Sequence, residues 1–276
     1  MIFHLQLEAD STRNFVYLRE IYQHQELSYS KNYAELIFRD GKKQIHYKRD
    51  FCEVFHLICY QQYPEDLTAA NIGLHMRKTK KFNKHGYVGG IGVIGFEVNL
   101  INAQLLPLNF STLGSLPLFQ EFPPTCIIHV SPEQLLAIYC LKEYFKLTPS
   151  NINLMNQFYE KFTMLQHNYF GYSIKPIIDL DYIIPIPGFL SLKDAANPFR
   201  VQIYDYENGQ IIQTPAVIYI GEEPLLRVLR GYSIKRFLSY VGLTVESYDD
   251  VIFEETISQY KEAFDGTMYP LQILRR

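Results

Sequence analysis

The chain has 276 residues, 47% of them hydrophobic, enough to bury a sizeable core in one large domain or two ordinary ones. A formal net charge of -3 excludes a globally basic nucleic-acid coat, though not local basic patches. Four cysteines and no charged-then-apolar leader predict free thiols and a cytoplasmic protein, and Pro or Gly interrupts the apolar runs before the roughly 20 residues a membrane-spanning helix needs.

In chain order, "IFHLQLE" (2–8) alternates as a strand does. "YAELIFRDGKKQIHYKR" (33–49) reads as a hairpin turning at Asp40-Gly41, a pair suited to a turn with positive φ. Asp50 then caps a predicted helix in which Phe51, Val54, Phe55 and Ile58 recur at helical spacing. From Gly86 to Leu141 there is no Lys or Arg, so this stretch is expected to be covered, by the core or by a partner.

"SPEQLLAIYCLKEYFKL" (131–147) opens with a Ser-Pro cap pair and is apolar around most of its circumference, which predicts a central helix. A second helix is predicted over 149–169. The pattern then returns to strands, in "PIIDLDYIIPIPG" and in a hairpin turning at Asn208-Gly209. "EPLLRVLRG", "SIKRFLSYVGL" and "DDVIFEETISQYKEAFDG" read as three closing helices, the last two stopped by Gly242 and Gly266.

These elements predict an α+β fold: two β-hairpin-plus-helix subdomains around a central apolar helix, with a C-terminal helical segment. The expected division is residues 1–147, which carry a basic arm, and 148–276.

Glycines 90, 92 and 95 in "HGYVGGIGVIGF" match the spacing G-x-G-x-x-G of a dinucleotide-binding turn. The context does not, because Lys80, Lys81, Asn83, Lys84 and His85 precede them where a buried strand is required, and no Asp or Glu stands between Glu97 and Glu121 to hold a ribose. Small residues in a close-packed strand or bulge are the expectation, and no cofactor is called for.

The cations form two clusters. Arg77, Lys78, Lys80, Lys81 and Lys84 lie with His75 and His85 in one short run, interleaved with Phe82 and Tyr87. Lys42, Lys43, His46, Lys48 and Arg49, with Tyr47, lie after the first hairpin turn. On a shared face these would neutralise the phosphates of RNA or DNA, with aromatic rings available for stacking.

Two other constellations suggest metal. Cys52, His56 and Cys59 at i, i+4 and i+7 of the predicted helix share a face that Cys126 and His129 could complete as a zinc shell. Asp179 and Asp181 would share one face of a strand, with Asp205, Glu207, Glu222 or Glu223 as further ligands of a divalent ion. No nucleophile elbow, phosphate loop or H-E-x-x-H pair occurs.

The leading expectation is therefore a non-catalytic nucleic-acid-binding protein. The alternatives are a subunit of a larger assembly that docks through residues 87–141, and a metal-dependent hydrolase or nuclease on Asp179 and Asp181.

Overall fold

Asp40-Gly41 turns the chain between β1 (Ser30–Phe38) and β2 (Lys43–Lys48), whose antiparallel register sets Asn32 opposite Lys48 and Ile37 opposite Lys43. Gly41 takes φ +79°, and the Asp40 carboxylate accepts the Lys42 amide, as the turn requires. The computed structural model describes residues 22, 30–49, 53, 54, 57, 67–78, 88–101, 108–165, 168–194, 196–213, 218–220, 223–225 and 231–244. The predicted strand 2–8, most of the helix predicted after Asp50, and the last predicted helix lie outside those residues.

β3 (Leu67–Gly73) pairs with the other flank of β1. Only three residues separate it from β4 (Arg77–Lys78), which extends it along that flank and sets Lys78 opposite Ser30. β5 (Gly90–Leu100) is followed by two short helices, α1 (Phe110–Gly114) and α2 (Pro117–Glu121), and by the hairpin of β6 (Cys126–Ser131) and β7 (Gln134–Lys146). Then come α3 (Pro149–Met164), β8 (Asn168–Tyr169), β9 (Tyr172–Pro176), β10 (Ile183–Pro185), β11 (Leu190–Ser191) and β12 (Phe199–Arg200). The described chain closes with β13 (Gln202–Glu207), β14 (Gln210–Gln213), β15 (Ile218–Ile220), β16 (Glu223–Leu225), β17 (Gly231–Tyr232) and α4 (Ile234–Tyr240).

The architecture is mostly β-sheet, with a curled antiparallel sheet at its centre, and this overturns the predicted α+β arrangement around a central helix. The large sheet runs β14-β13-β6-β7-β5-β9-β8, with β17 parallel to β7, and the small sheet runs β10-β3-β1-β2, with β4 beside β1. Three layers result. Between the sheets, Ala34, Leu36, Ala70 and Ile72 of the small sheet meet Val93, Ile128, Ile138 and Ile203 of the large one. On the opposite face of the large sheet, Phe158 and Phe162 of α3 and Phe237 and Leu238 of α4 cover Phe96, Tyr139 and Leu141.

The supposed central helix is strand β7. Leu135, Ala137, Tyr139 and Leu141 enter the helix-covered core while Leu136, Ile138 and Cys140 enter the core between the sheets. A strand buried on both faces has no polar side to alternate with, so its sequence runs apolar without a break and imitates a buried helix.

Other predicted elements are present, although the helix predicted over 149–169 ends at Met164 and Asn168–Tyr169 is strand β8. α3 is capped by the Thr148 hydroxyl accepting the Asn151 amide, and Asn208 and Gly209 turn β13 into β14 with φ of +50° and +80°. α4 stops at Gly242, at φ +72°, whereas Glu223–Leu225, expected as helix, is strand β16.

The glycine-rich motif lies in β5, next to β7 in the large sheet, with a register shift between Ile91 and Val93. A β-carbon on Gly90 would stand 2.5 Å from Tyr144 Cε1 and 2.7 Å from the Phe145 carbonyl oxygen, and one on Gly95 would meet Ile177 Cδ1 at 2.7 Å. These residues are small because neighbouring chain approaches them, not because a phosphate does. Gly90→Ala is expected to cost about 1–3 kcal/mol of stability, measured as a lower urea midpoint, since the obstructing carbonyl belongs to a fixed ladder. An unchanged midpoint would mean that β5 and β7 are not in this contact.

Candidate nucleic-acid interface

The start of β1 is flanked on one side by β4 and on the other by the end of β2. Ser30 pairs with Lys78 and Asn32 with Lys48, so the first basic cluster ends, and the second begins, within two residues of each other along one strand. Adjacent strands lie about 4.8 Å apart, which puts β2 and β4 about 10 Å apart across β1.

The cations there differ in how far they are already committed. Lys42 is exposed and ion-paired with Asp40 at 2.5 Å, and Lys43 approaches the mostly buried Glu35 at 3.5 Å. Lys48 is half-buried and Arg49 exposed, and among the described residues neither side chain has a carboxylate partner. Tyr47 packs edge-on against Tyr33, ring centres 5.6 Å apart. Lys80, Lys81, Phe82, Lys84, His85 and Tyr87 lie outside the described residues, as does the side chain of Lys78.

Arg77 is placed differently from its neighbours in sequence. It is 5% exposed; its guanidinium stands 3.1 Å from the Asp181 carboxylate and 3.4 Å from the Asp181 carbonyl oxygen, and lies over the Tyr33 ring at 4.4 Å. This charge ties the loop after β9 to the small sheet. His75, 3% exposed, sits near Asp179 and Arg77, and burial holds its imidazole down at about 4. Close by, the Tyr182 hydroxyl donates to Glu97 at 2.8 Å, and burial followed by that carboxylate raises its pKa far above the usual tyrosine range.

Asp179 and Asp181 are not on a strand. They occupy the turn between β9 and β10, where the Asp179 carboxylate accepts the Asp181 amide at 2.8 Å and the Asp181 carboxylate faces Arg77. Asp205 lies on β13, four strands across the large sheet from β9. Among the described residues no three His, Cys, Asp or Glu side chains converge as a metal ion would need.

The proposed zinc shell also separates. Cys126 enters the core between the sheets, while His129, three residues on along the same strand, faces the opposite side among Phe110, Phe199 and Tyr204. Cys52, His56 and Cys59 lie outside the described residues. As for the cation-free stretch, its described part supplies β5, β6 and β7, inner strands of the large sheet, so burial within the chain accounts for its composition.

Sequence reasoning passed over Asn32, Tyr33 and the Arg77–Asp181 pair. Only the register of three strands and a turn about 100 residues away brings them together, and no local spacing signals that.

No family model matches the chain, and no curated protein sequence matches it. Among solved structures, the AEP domain of the cyanophage S-2L primase-polymerase is similar over 70% of this chain and 89% of its own, at 7% sequence identity and a TM-score of 0.37. No helix among the described residues is long and apolar enough to cross a membrane.

Proposed function

We propose that the chain binds nucleic acid through its phosphate backbone. Lys42, Lys43, Lys48 and Arg49 beside β1 would contact it, together with the run Lys78, Lys80, Lys81 and Lys84, with His85. The observation that carries this is the register of β1, which brings the end of one basic cluster and the beginning of the other to the same end of the small sheet. A separation of about 10 Å lets both act on neighbouring phosphates of one strand. Arg77 takes no part, because it is 5% exposed and its guanidinium is held against Asp181, whereas the paired Lys42 and Lys43 are exposed. Stacking would come from Tyr47, Phe82 and Tyr87, since an aromatic face accepts any base.

The test is a salt titration of binding to fluorescent single- and double-stranded DNA and RNA. Each phosphate contact adds about 0.7 to the log–log slope for single strands and about 0.9 for duplex. Changing Lys48 and Arg49 together to Ala should lower the slope by about 1–2, and changing Lys78, Lys80, Lys81 and Lys84 to Ala by about 3–4. Absence of binding at low salt, or slopes indifferent to both sets, would overturn the proposal.

A further inference from the structure

Asn208 and Gly209 are the only Asn-Gly pair in the chain, and they form the two-residue turn between β13 and β14, where Glu207 faces Gln210. Both take left-handed backbone, with φ of +50° and +80°, and Asn208 is exposed. Among the described residues the Asn208 carboxamide has no hydrogen-bond partner and the Gly209 amide donates to none. An unengaged amide nitrogen thus follows directly on an unengaged carboxamide, with no β-carbon on the glycine to obstruct their approach. β14 is the outermost strand of the large sheet and is bonded, among the described residues, to β13 alone. Opening this end of the ladder so that the turn can rotate costs far less than opening an inner strand.

The first hairpin is built differently. Asp40-Gly41 offers the same order of electrophile and nucleophile, but the Gly41 amide donates to the Phe38 carbonyl at 2.9 Å, while the Asp40 carboxylate accepts the Lys42 amide and pairs with the Lys42 ammonium. The bond from Lys42 holds this carboxyl below the usual carboxylate range. It therefore stays an anion, and a carboxylate resists nucleophilic attack where a neutral carboxamide does not.

We infer that Asn208 is a site of spontaneous backbone modification, converting through a succinimide to aspartate and isoaspartate, and that the fold spares Asp40. The Gly209 nitrogen gives up its proton and attacks Asn208 Cγ. The new C–N bond closes the ring as the bond from Cγ to the amide nitrogen breaks, and ammonia leaves with that proton. Water then opens the ring at either carbonyl. Opening at Cγ leaves aspartate in the original backbone; opening at the Asn208 carbonyl carbon leaves isoaspartate, whose backbone runs through Cβ and Cγ and is one methylene longer. The turn has no room for that methylene on its inner side. A β-carbon on Gly114 of α1 would stand 2.5 Å from the Gly209 carbonyl oxygen, and the Gly114 carbonyl in turn accepts the Tyr206 hydroxyl and Gln120 Nε2. Isoaspartate therefore displaces the turn from α1.

The experiment holds the full chain folded in mildly alkaline buffer, with the same chain in urea as the unfolded control. Peptide mass mapping, and methylation by an isoaspartyl methyltransferase, read the product at each position. Folded wild type should accumulate aspartate and isoaspartate at Asn208 ahead of every other asparagine, with no isoaspartate at Asp40, while in urea both positions convert. Asn208→Gly keeps a residue suited to the turn and removes the carboxamide. It should show no product there and should keep its urea midpoint through the incubation, whereas the wild-type midpoint falls as product accumulates. Folded wild type unchanged at Asn208 over the time in which the urea sample converts would overturn the inference, as would isoaspartate forming at Asp40 in the folded chain as fast as in urea. A wild-type midpoint that stays constant while Asn208 converts would overturn the displacement of the turn from α1.

Discussion

Changing Phe237 to Ala should lower the free energy of unfolding by about 3–5 kcal/mol, measured from the midpoint and slope of urea unfolding. The ring is 1% exposed on α4 and stacks on Phe122 with centroids 4.6 Å apart and planes 16° from parallel. It meets Tyr139 edge-on at 5.5 Å and Tyr232 at 5.8 Å, with Phe96 and Phe158 just beyond. Truncation therefore empties the centre of a cluster assembled from the end of α2, β5, β7, α3, β17 and α4, whose members cannot all close on the gap at once. Tyr139→Phe supplies the contrast. That ring is fully buried and its hydroxyl has no hydrogen-bond partner among the described residues, so removing the oxygen should be neutral or stabilising. A loss below about 1 kcal/mol for Phe237→Ala would mean that α4 does not seal this face of the sheet.

That cluster also marks where the sequence stops being readable. The two hairpins could be read because Asp40-Gly41 and Asn208-Gly209 are local signals: each fixes a turn from adjacent residues. Helix α3 could be read over 149–164, where Thr148 caps it, but its end at Met164 could not. Strand β7 could not, since burial on two faces erases the alternation that distinguishes a strand, and a Ser-Pro pair ahead of it imitates a helix start. Assigning one central strand to helix then reversed the fold class, because β5, β6 and β7 form the middle of the large sheet.

The candidate interface was readable in a different way. Composition revealed both basic clusters, but a run of cations carries no information on where its side chains point. Arg77 belongs to the same short run as Lys78, yet Asp181, more than a hundred residues later in the chain, engages it beneath the Tyr33 ring. Asp179 and Asp181 show the converse: two acids at strand spacing suggested a metal, and a turn gave them a backbone amide and a guanidinium instead. Non-local pairing decides both cases, and single-residue spacing cannot anticipate it.

The same corner of the molecule sets a second large expectation, a loss of stability in mild acid traceable to His75. Burial holds its imidazole at about 4 in the folded chain against an ordinary 6.5; Asp179 nearby favours the charged ring, and desolvation, with Arg77 acting in the same direction, outweighs it. Since the folded pKa is depressed, the unfolded chain takes up the proton first as pH falls. The stabilising contribution is therefore fully present above pH 6.5 and is lost progressively down to about pH 4. At about 1.4 kcal/mol per pH unit the loss is about 2 kcal/mol by pH 5 and about 3 kcal/mol by pH 4. The interval from pH 6.5 to 5 is the informative one, because most carboxylates begin to titrate only below it. In His75→Gln, urea unfolding across that interval should lose most of its pH dependence. Wild type and variant changing in parallel would mean that the ring is open to water and free to take its proton in the folded state. Asp179→Asn removes a carboxylate that favours the imidazolium, so it should push the folded pKa lower and extend the loss further into acid.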